Sequence, residues 1–275
     1  MAGQRVTISR RDFLIGSAAS GAGLMLGLSL PLGESRADAG RPTPEINAWV
    51  VIEPDDRVII RIARSEMGQG TLTGLAQLVA EELACDWSRV ETEYPTPGQS
   101  LARDRVWGSF STGGSRGIRG SHQYMREGGA VARVLLIEAA ANAWGVPAEE
   151  CSAASSLITH RPTGRTVRYG AVAAAAARLV PPSTVELKDP KDWKIAGRPL
   201  LRLDTRDKLT GRQVFGADLR LPGMLNATIR ACPVFGGKLV AFDDARVREM
   251  PGVRAVVRVH DDAVAVVADT WWQAK

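Results

Sequence analysis

Two glycine-rich turns carry the residue types that could hold a ligand: Glu66-Met67-Gly68-Gln69-Gly70 and Ser111-Thr112-Gly113-Gly114-Ser115-Arg116-Gly117. Each runs into a helix-like segment. Glycine lets backbone approach a bound group closely, and unpaired amides at a helix start favour negative charge. In the first turn Gln69 adds a donor and an acceptor suited to the edge of a heterocycle. In the second, Thr112 and Ser115 add hydroxyls and Arg116 a guanidinium, a set suited to an oxyanion or a diphosphate. The candidate cofactor contacts are therefore Gly68, Gln69, Gly70, Thr112, Gly113, Gly114, Ser115 and Arg116. Neither turn follows GxxxxGK[ST], and neither is a spaced GxGxxG with a following acid, which disfavours nucleoside triphosphate and Rossmann sites. Simple chain reversal is the competing reading of the first turn, and a flexible surface loop that of the second.

The flanking segments predict what positions these turns. β-rich runs at 46–52 and 57–63 surround Glu53-Pro54-Asp55-Asp56, a hairpin that delivers the chain to the first turn. Leu72, Leu75, Ala76, Val79 and Leu83 recur at helical spacing, so 71–84 is an amphipathic helix on which Glu81 and Glu82 are expected to face solvent. A strand over 89–94 follows, and Pro95 and Pro97 open a loop that ends in the second turn. A long helix over 121–144 has small residues at Gly128, Ala132, Ala139 and Ala143, and Gly145 with Pro147 stops it. A hairpin at 155–160 and 166–169 turns at Pro162-Thr163-Gly164 and leads to an alanine-rich helix over 170–179. Residues 181–199 carry prolines without periodicity and read as a linker. Strand-like runs at 213–215, 225–231, 253–259 and 264–268 build a second unit. Trp271 and Trp272 open a helix where no domain boundary falls, so the chain reads as a fragment.

Composition bounds the classes. The 275 residues are 45% hydrophobic and 24% charged, enough apolar content for one large or two modest globular domains. The net charge of +5 is spread along a chain that is 5% aromatic, which argues against nucleic acid as a partner. Cys85, Cys151 and Cys232 lie far apart and read as small buried apolar side chains, while His122, His160 and His260 are isolated. No protein metal ligand is assigned, so any metal is expected inside a cofactor. At the N-terminus, Ser9-Arg10-Arg11-Asp12-Phe13-Leu14 precedes a glycine- and alanine-rich apolar run to Leu32 and the small-x-small segment Ala37-Asp38-Ala39. This is the order of a twin-arginine export signal, with the mature chain starting near Gly40. Localisation is expected to be periplasmic or otherwise exported, with membrane met only during export. Because that route carries folded proteins, a tightly bound prosthetic group is expected.

Several segments together resemble the molybdopterin-binding subunit of the xanthine dehydrogenase and aldehyde oxidase family, in the branch typified by the isoquinoline 1-oxidoreductase β-subunit. They are Glu66 to Gly70 with Leu75-Ala76-Gln77 and Ala80-Glu81-Glu82-Leu83, Thr112 to Arg116 through Arg119-Gly120-Ser121, and Trp144-Gly145-Val146-Pro147-Ala148-Glu149-Glu150-Cys151. Lys188-Asp189-Pro190-Lys191-Asp192-Trp193, Asp207-Lys208-Leu209-Thr210-Gly211 and Leu221-Pro222-Gly223-Met224-Leu225 extend the likeness. The resemblance implies an α+β fold: a signal over 1–39, the first part of a molybdopterin-binding domain over 40–180, a linker over 181–204 and an incomplete α/β hammerhead domain over 205–275. It implies an oxidoreductase that hydroxylates an N-heteroaromatic or aldehyde carbon with oxygen from water. Gly68, Gln69 and Gly70 would contact the pterin near molybdenum, and Thr112 to Arg116 its tail and phosphates. The cofactor would be molybdenum–molybdopterin, its cytosine dinucleotide form being one option. A small [2Fe-2S] subunit would pass electrons to an acceptor such as a cytochrome. No catalytic residue is assigned: the catalytic glutamate of the family belongs to a later part of such chains, so this part alone is expected to be inactive. The competing reading is a non-catalytic exported binding or assembly module with structural glycine turns.

Overall fold

Asn47 breaks what reads in the sequence as one strand over 46–52. Its side-chain oxygen accepts from the amides of Trp49 and Val50 at 2.9 and 3.0 Å, and its amide donates to Gly128 O at 2.9 Å. A buried side chain thus folds the chain back at Ala48-Trp49. The result is β1 (Glu45–Asn47) paired antiparallel with β2 (Val50–Ile52), where the sequence pattern predicts a single strand. The expected hairpin at Glu53 to Asp56 joins β2 to β3 (Val58–Arg61).

The computed structural model describes residues 45–275. The expected export signal lies outside them. The described chain mixes α and β structure and divides into two units, the first ending at Thr210 and the second beginning at Gly211.

In the first unit, β3 leads through the first glycine turn into α1 (Thr71–Leu83) and returns parallel to itself as β4 (Val90–Glu93), completing a four-stranded sheet in the order β1-β2-β3-β4. The loop after β4 holds a short helix, α2 (Pro97–Leu101), not expected from its prolines. Pro97 sits in its first turn, and Thr96 with Gln99 forms a capping box. The long helix α3 (His122–Trp144) ends at Gly145 with φ 68°, in agreement with the stop signal.

Helices α1 and α3 approach each other at Gly129, where a Cβ would lie 2.5 Å from Val79 O and 3.0 Å from Glu82 Cβ. Small residues do set the packing, but the decisive one is Gly129, and Ala143 is exposed. Leu75, Leu83, Met125, Leu135 and Leu136 share one core with Ile52 and Ile60 of the sheet.

A second sheet contains β5 (Cys151–Ala154), β6 (Leu157–His160) and β7 (Thr166–Arg168), followed by α4 (Tyr169–Ala176). β5 and its turn at Ser155-Ser156 carry no sequence signal, because both serines take left-handed φ, 49° and 60°. Tertiary bonds hold them there: Ser156 N donates to Ala84 O at 3.2 Å, and Ser156 Oγ accepts from Asp86 N at 2.9 Å.

Glu81 and Glu82, expected in solvent, are 1% and 0% exposed. Glu82 Oε1 accepts from Arg126 on α3 at 2.7–2.8 Å, and its Oε2 from Lys188 N at 3.0 Å. Glu81 Oε2 accepts from the amides of Lys194, Ile195 and Ala196, and Lys188 Nζ pairs with Glu81 Oε1 at 3.1 Å. Burial pushes the Glu81 pKa up, yet the Ile195 and Lys194 amides and the Lys188 ammonium outweigh it and hold it below its ordinary value. The helix pattern misses these carboxylates because their partners lie more than 40 residues away in sequence.

Their partners make residues 181–204, which read as a linker, into a strap along α1. Gln77 reaches Arg198 O at 3.2 Å, and Leu203 N reaches Thr73 Oγ1 at 3.1 Å. The strap therefore runs from the C-terminal end of α1 toward its N-terminal end. It continues into the short helix α5 (Thr205–Leu209).

The second unit is an antiparallel sheet of β8 (Asn226–Ala231), β9 (Val253–Val259) and β10 (Ala263–Ala268) in the order β8-β10-β9, with α6 (Ala245–Arg248) and α7 (Trp271–Ala274). Residues 213–215 form no strand. Cys85 and Cys151 are buried as expected, whereas Cys232 is only half-buried. Burial pushes the Cys85 thiol up to about 12.

Gly129→Ala is expected to force α1 and α3 apart and to cost about 1–3 kcal/mol, as overpacking of a filled interior does. Urea denaturation beside the unaltered protein measures this, and an unchanged midpoint would mean the helices are not in contact there.

Candidate functional site

The first glycine turn sits between β3 and α1, and the amides of Met67, Gly68 and Gly70 are already occupied. Glu66 folds back so that its Oε1 accepts from Gly68 N at 2.7 Å and Gly70 N at 3.0 Å, while its Oε2 accepts from Leu72 N at 3.0 Å. The carboxylate thus neutralises the positive end of α1 from within. Gln69 is turned inward too: its Oε1 accepts from Met67 N at 2.6 Å and its Nε2 donates to Ser65 O at 2.9 Å. Gly68 and Gly70 have φ 101° and 83°, conformations that favour glycine, and a Cβ on either would meet nothing within 4 Å. Their outer face is open backbone.

Arg202 is the residue that no local motif could reveal. Delivered by the strap, it donates to Gly68 O at 2.9 Å and pairs with Glu66 at 3.0 Å and with Asp204 at 2.9 Å. Burial would raise the Glu66 pKa, but the Gly70, Leu72 and Gly68 amides together with the Arg202 charge bring it below its ordinary value of 4.5. Asp204 accepts from Arg202 and Lys208, and these cations hold its carboxyl down at about 2.

The second turn packs against the first. Ser65 N donates to Thr112 Oγ1 at 2.9 Å, a Cβ on Gly117 would lie 2.9 Å from Thr71 Oγ1, and one on Gly74 would lie 2.9 Å from Ile118 Cδ1. Arg64 braces the loop by donating to the carbonyls of Ser109 and Ser111 and to Ser121 Oγ. All eight candidate contacts therefore lie on two adjoining turns at the N-terminal end of α1.

The turns differ in what they leave available. Gly114 and Ser115 take φ 57° and 55°, and Arg116 N closes the turn on Gly113 O at 3.2 Å. Among the described residues, the amides of Gly113, Gly114 and Ser115 have no acceptor and the exposed Arg116 guanidinium has no partner. Three amides, a hydroxyl and a guanidinium form a donor set that fits an anionic, oxygen-rich group such as a phosphate. In the first turn the two glycine amides are spent on Glu66, which leaves its open backbone face to the outside. Among the described residues, no cluster of three or more His, Cys, Asp or Glu stands where it could hold a metal ion, and no helix is long and apolar enough to cross a membrane.

Residues 14–212 match the family described as the molybdopterin cofactor-binding domain. The beta subunit of isoquinoline 1-oxidoreductase from Brevundimonas diminuta is 31% identical over 96% of this chain and 38% of its own length. The membrane-bound aldehyde dehydrogenase [pyrroloquinoline-quinone] of Gluconacetobacter polyoxogenes is 29% identical over 96% of this chain and 34% of its own. A nicotinate dehydrogenase subunit of Pseudomonas putida is 28% identical over 84% of this chain and 20% of its own. The chain thus spans little more than a third of these curated relatives at most.

Because the pKa values of Glu66 and Asp204 are depressed, each carboxylate stabilises the fold above its ordinary range, and that contribution is lost as pH falls through the lower folded value. Glu66→Gln is expected to cost about 1–3 kcal/mol at pH 7, from weakened bonds to three amides and Arg202. Thermal midpoints followed from pH 7 down to about 2 should converge between the variant and the unaltered protein as Glu66 protonates. Parallel curves would remove Glu66 as the cap.

Proposed function

Since the chain belongs to the molybdopterin cofactor-binding domain family, we propose that it forms part of the molybdenum-cofactor-binding subunit of an oxidoreductase. One observation carries the assignment of residues: the two glycine turns adjoin, and the second offers unpartnered amides beside an unpaired Arg116. In this reading Thr112, Gly113, Gly114, Ser115 and Arg116 bind the anionic tail of the cofactor. Gly68, Gln69 and Gly70 present a rigid backbone face to its pterin part, with Glu66 and Arg202 holding that face in shape. When bound, the cofactor supplies two-electron redox chemistry at molybdenum, and this chain binds, orients and screens it.

The finer proposals are supported by the family resemblance of the sequence. The reaction class is hydroxylation of an N-heteroaromatic or aldehyde carbon with oxygen from water, and electrons leave through a small [2Fe-2S] subunit toward an acceptor such as a cytochrome. None of Glu66, Glu81 or Glu82 serves as the base, because each carboxylate is committed to internal partners. The general base belongs to a part of the enzyme outside this chain. Residues 205–275 are proposed to open an α/β hammerhead domain. Export by the twin-arginine route rests on Arg10, Arg11 and the apolar run that follows.

Molybdenum content by plasma mass spectrometry and pterin fluorescence of the full-length protein test the assignment. Both are expected to be near one per protein. Arg116→Ala is expected to lower retention about tenfold or more, the loss of a charge-assisted contact of about 1.5–3 kcal/mol. Full-length protein repeatedly free of both molybdenum and pterin would sink the proposal, and retention unchanged by Arg116→Ala would remove that residue from the site.

A further inference from the structure

The strap and α3 enclose a groove of about 490 Å³ that shares no residue with the two glycine turns. This volume lies in the range of small-molecule sites. Its aromatic wall is Trp49 and Tyr124, with ring centroids 4.9 Å apart and planes tilted by 33°. Val131 of α3 and Pro182 and Val185 of the strap supply apolar sides. The Trp49 ring can lie there because position 128 is glycine: a Cβ would come within 3.1–3.3 Å of it.

The single charged residue lining the groove is Glu127, half-buried on α3. One of its oxygens accepts from Gln123 Nε2 at 2.9 Å. Among the described residues no Lys, Arg or His pairs with it, although the sequence carries a net charge of +5. We propose that this groove is a binding site for a small organic cation, its ammonium group set between the Glu127 carboxylate and the half-buried ring of Tyr124, which the buried Trp49 backs.

Charge complementarity selects this occupant. An ammonium gains a charge-assisted contact with the carboxylate and a cation–π contact with Tyr124, while its apolar part covers the half-buried Pro182 and Val185. A neutral ligand of the same shape leaves Glu127 without a counter-charge, and an anion is repelled by it. The site is also tied to the loop bearing the second glycine turn. Tyr124 Oη bonds to Ser121 Oγ at 2.7 Å, and Ser121 Oγ accepts from Arg64, which holds the Ser109 and Ser111 carbonyls.

Isothermal titration of the full-length protein with benzyltrimethylammonium tests the proposal, with benzoate and benzyl alcohol as anionic and neutral probes. Saturable binding of the cation alone is expected, with slowed hydrogen exchange over 123–131 and 182–185. Glu127→Gln should weaken it about fivefold or more while leaving the thermal midpoint in place, since the carboxylate supports no buried partner. Absence of saturable binding, equal binding of benzyl alcohol, or an affinity unchanged by Glu127→Gln would each overturn it. The outcome is independent of molybdenum content, so it stands or falls separately from the cofactor assignment.

Discussion

The first unit depends on two adjacent buried carboxylates. Glu81 and Glu82 lie near the C-terminal end of α1 with almost no access to water, so their charge must be met by protein. Arg126 meets part of it and thereby locks α3 to α1 beside the Gly129 contact. The rest is met by backbone amides and the ammonium of residues 188–196. A segment with no helix or strand pattern is ordered because it solves the solvation problem of a neighbouring helix. Removing one partner from such a set leaves an uncompensated buried charge, which makes the arrangement cooperative.

That constraint reaches the candidate site through chain direction. Pinned at Glu81, the strap runs back along α1, past Gln77 and Thr73, and brings Arg202 to Glu66 and Gly68. Both ends of α1 are therefore closed by carboxylates, one on a turn and two on the helix. The first glycine turn is pre-shaped by its own side chains, while the neighbouring turn keeps its donors free.

Legibility followed the range of the interactions involved. Helix α1, helix α3 with its Gly145 stop and the β2–β3 hairpin are readable because periodicity, caps and turn residues act over a few positions. The Ala48-Trp49 turn is hidden because Asn47 enforces it from a buried position, held by Gly128 across 81 residues. Two left-handed serines lack the Asn-Gly signature and are fixed by contacts with Ala84 and Asp86. Glu81 and Glu82 look solvated because a local pattern assigns charge to the outer face. The two glycine turns can be picked out by motif, yet the state of their amides cannot, since only the fold shows Glu66 turning back onto its own turn.

That last difference decides how the glycine motif should be read. A Gly-x-Gly at a helix start suggests an anion cradle because of its free amides and the helix dipole. Here the dipole is answered internally, so an incoming anion at the first turn would compete with a carboxylate that three amides and a guanidinium already hold. The same exchange would leave Glu66 buried and unpaired, a cost on the order of 1–3 kcal/mol or more. At the second turn no such displacement is required, because among the described residues the amides of Gly113, Gly114 and Ser115 have no acceptor. Gly68 and Gly70, at positive φ, give the first turn a fixed curvature and an open, uncharged backbone face.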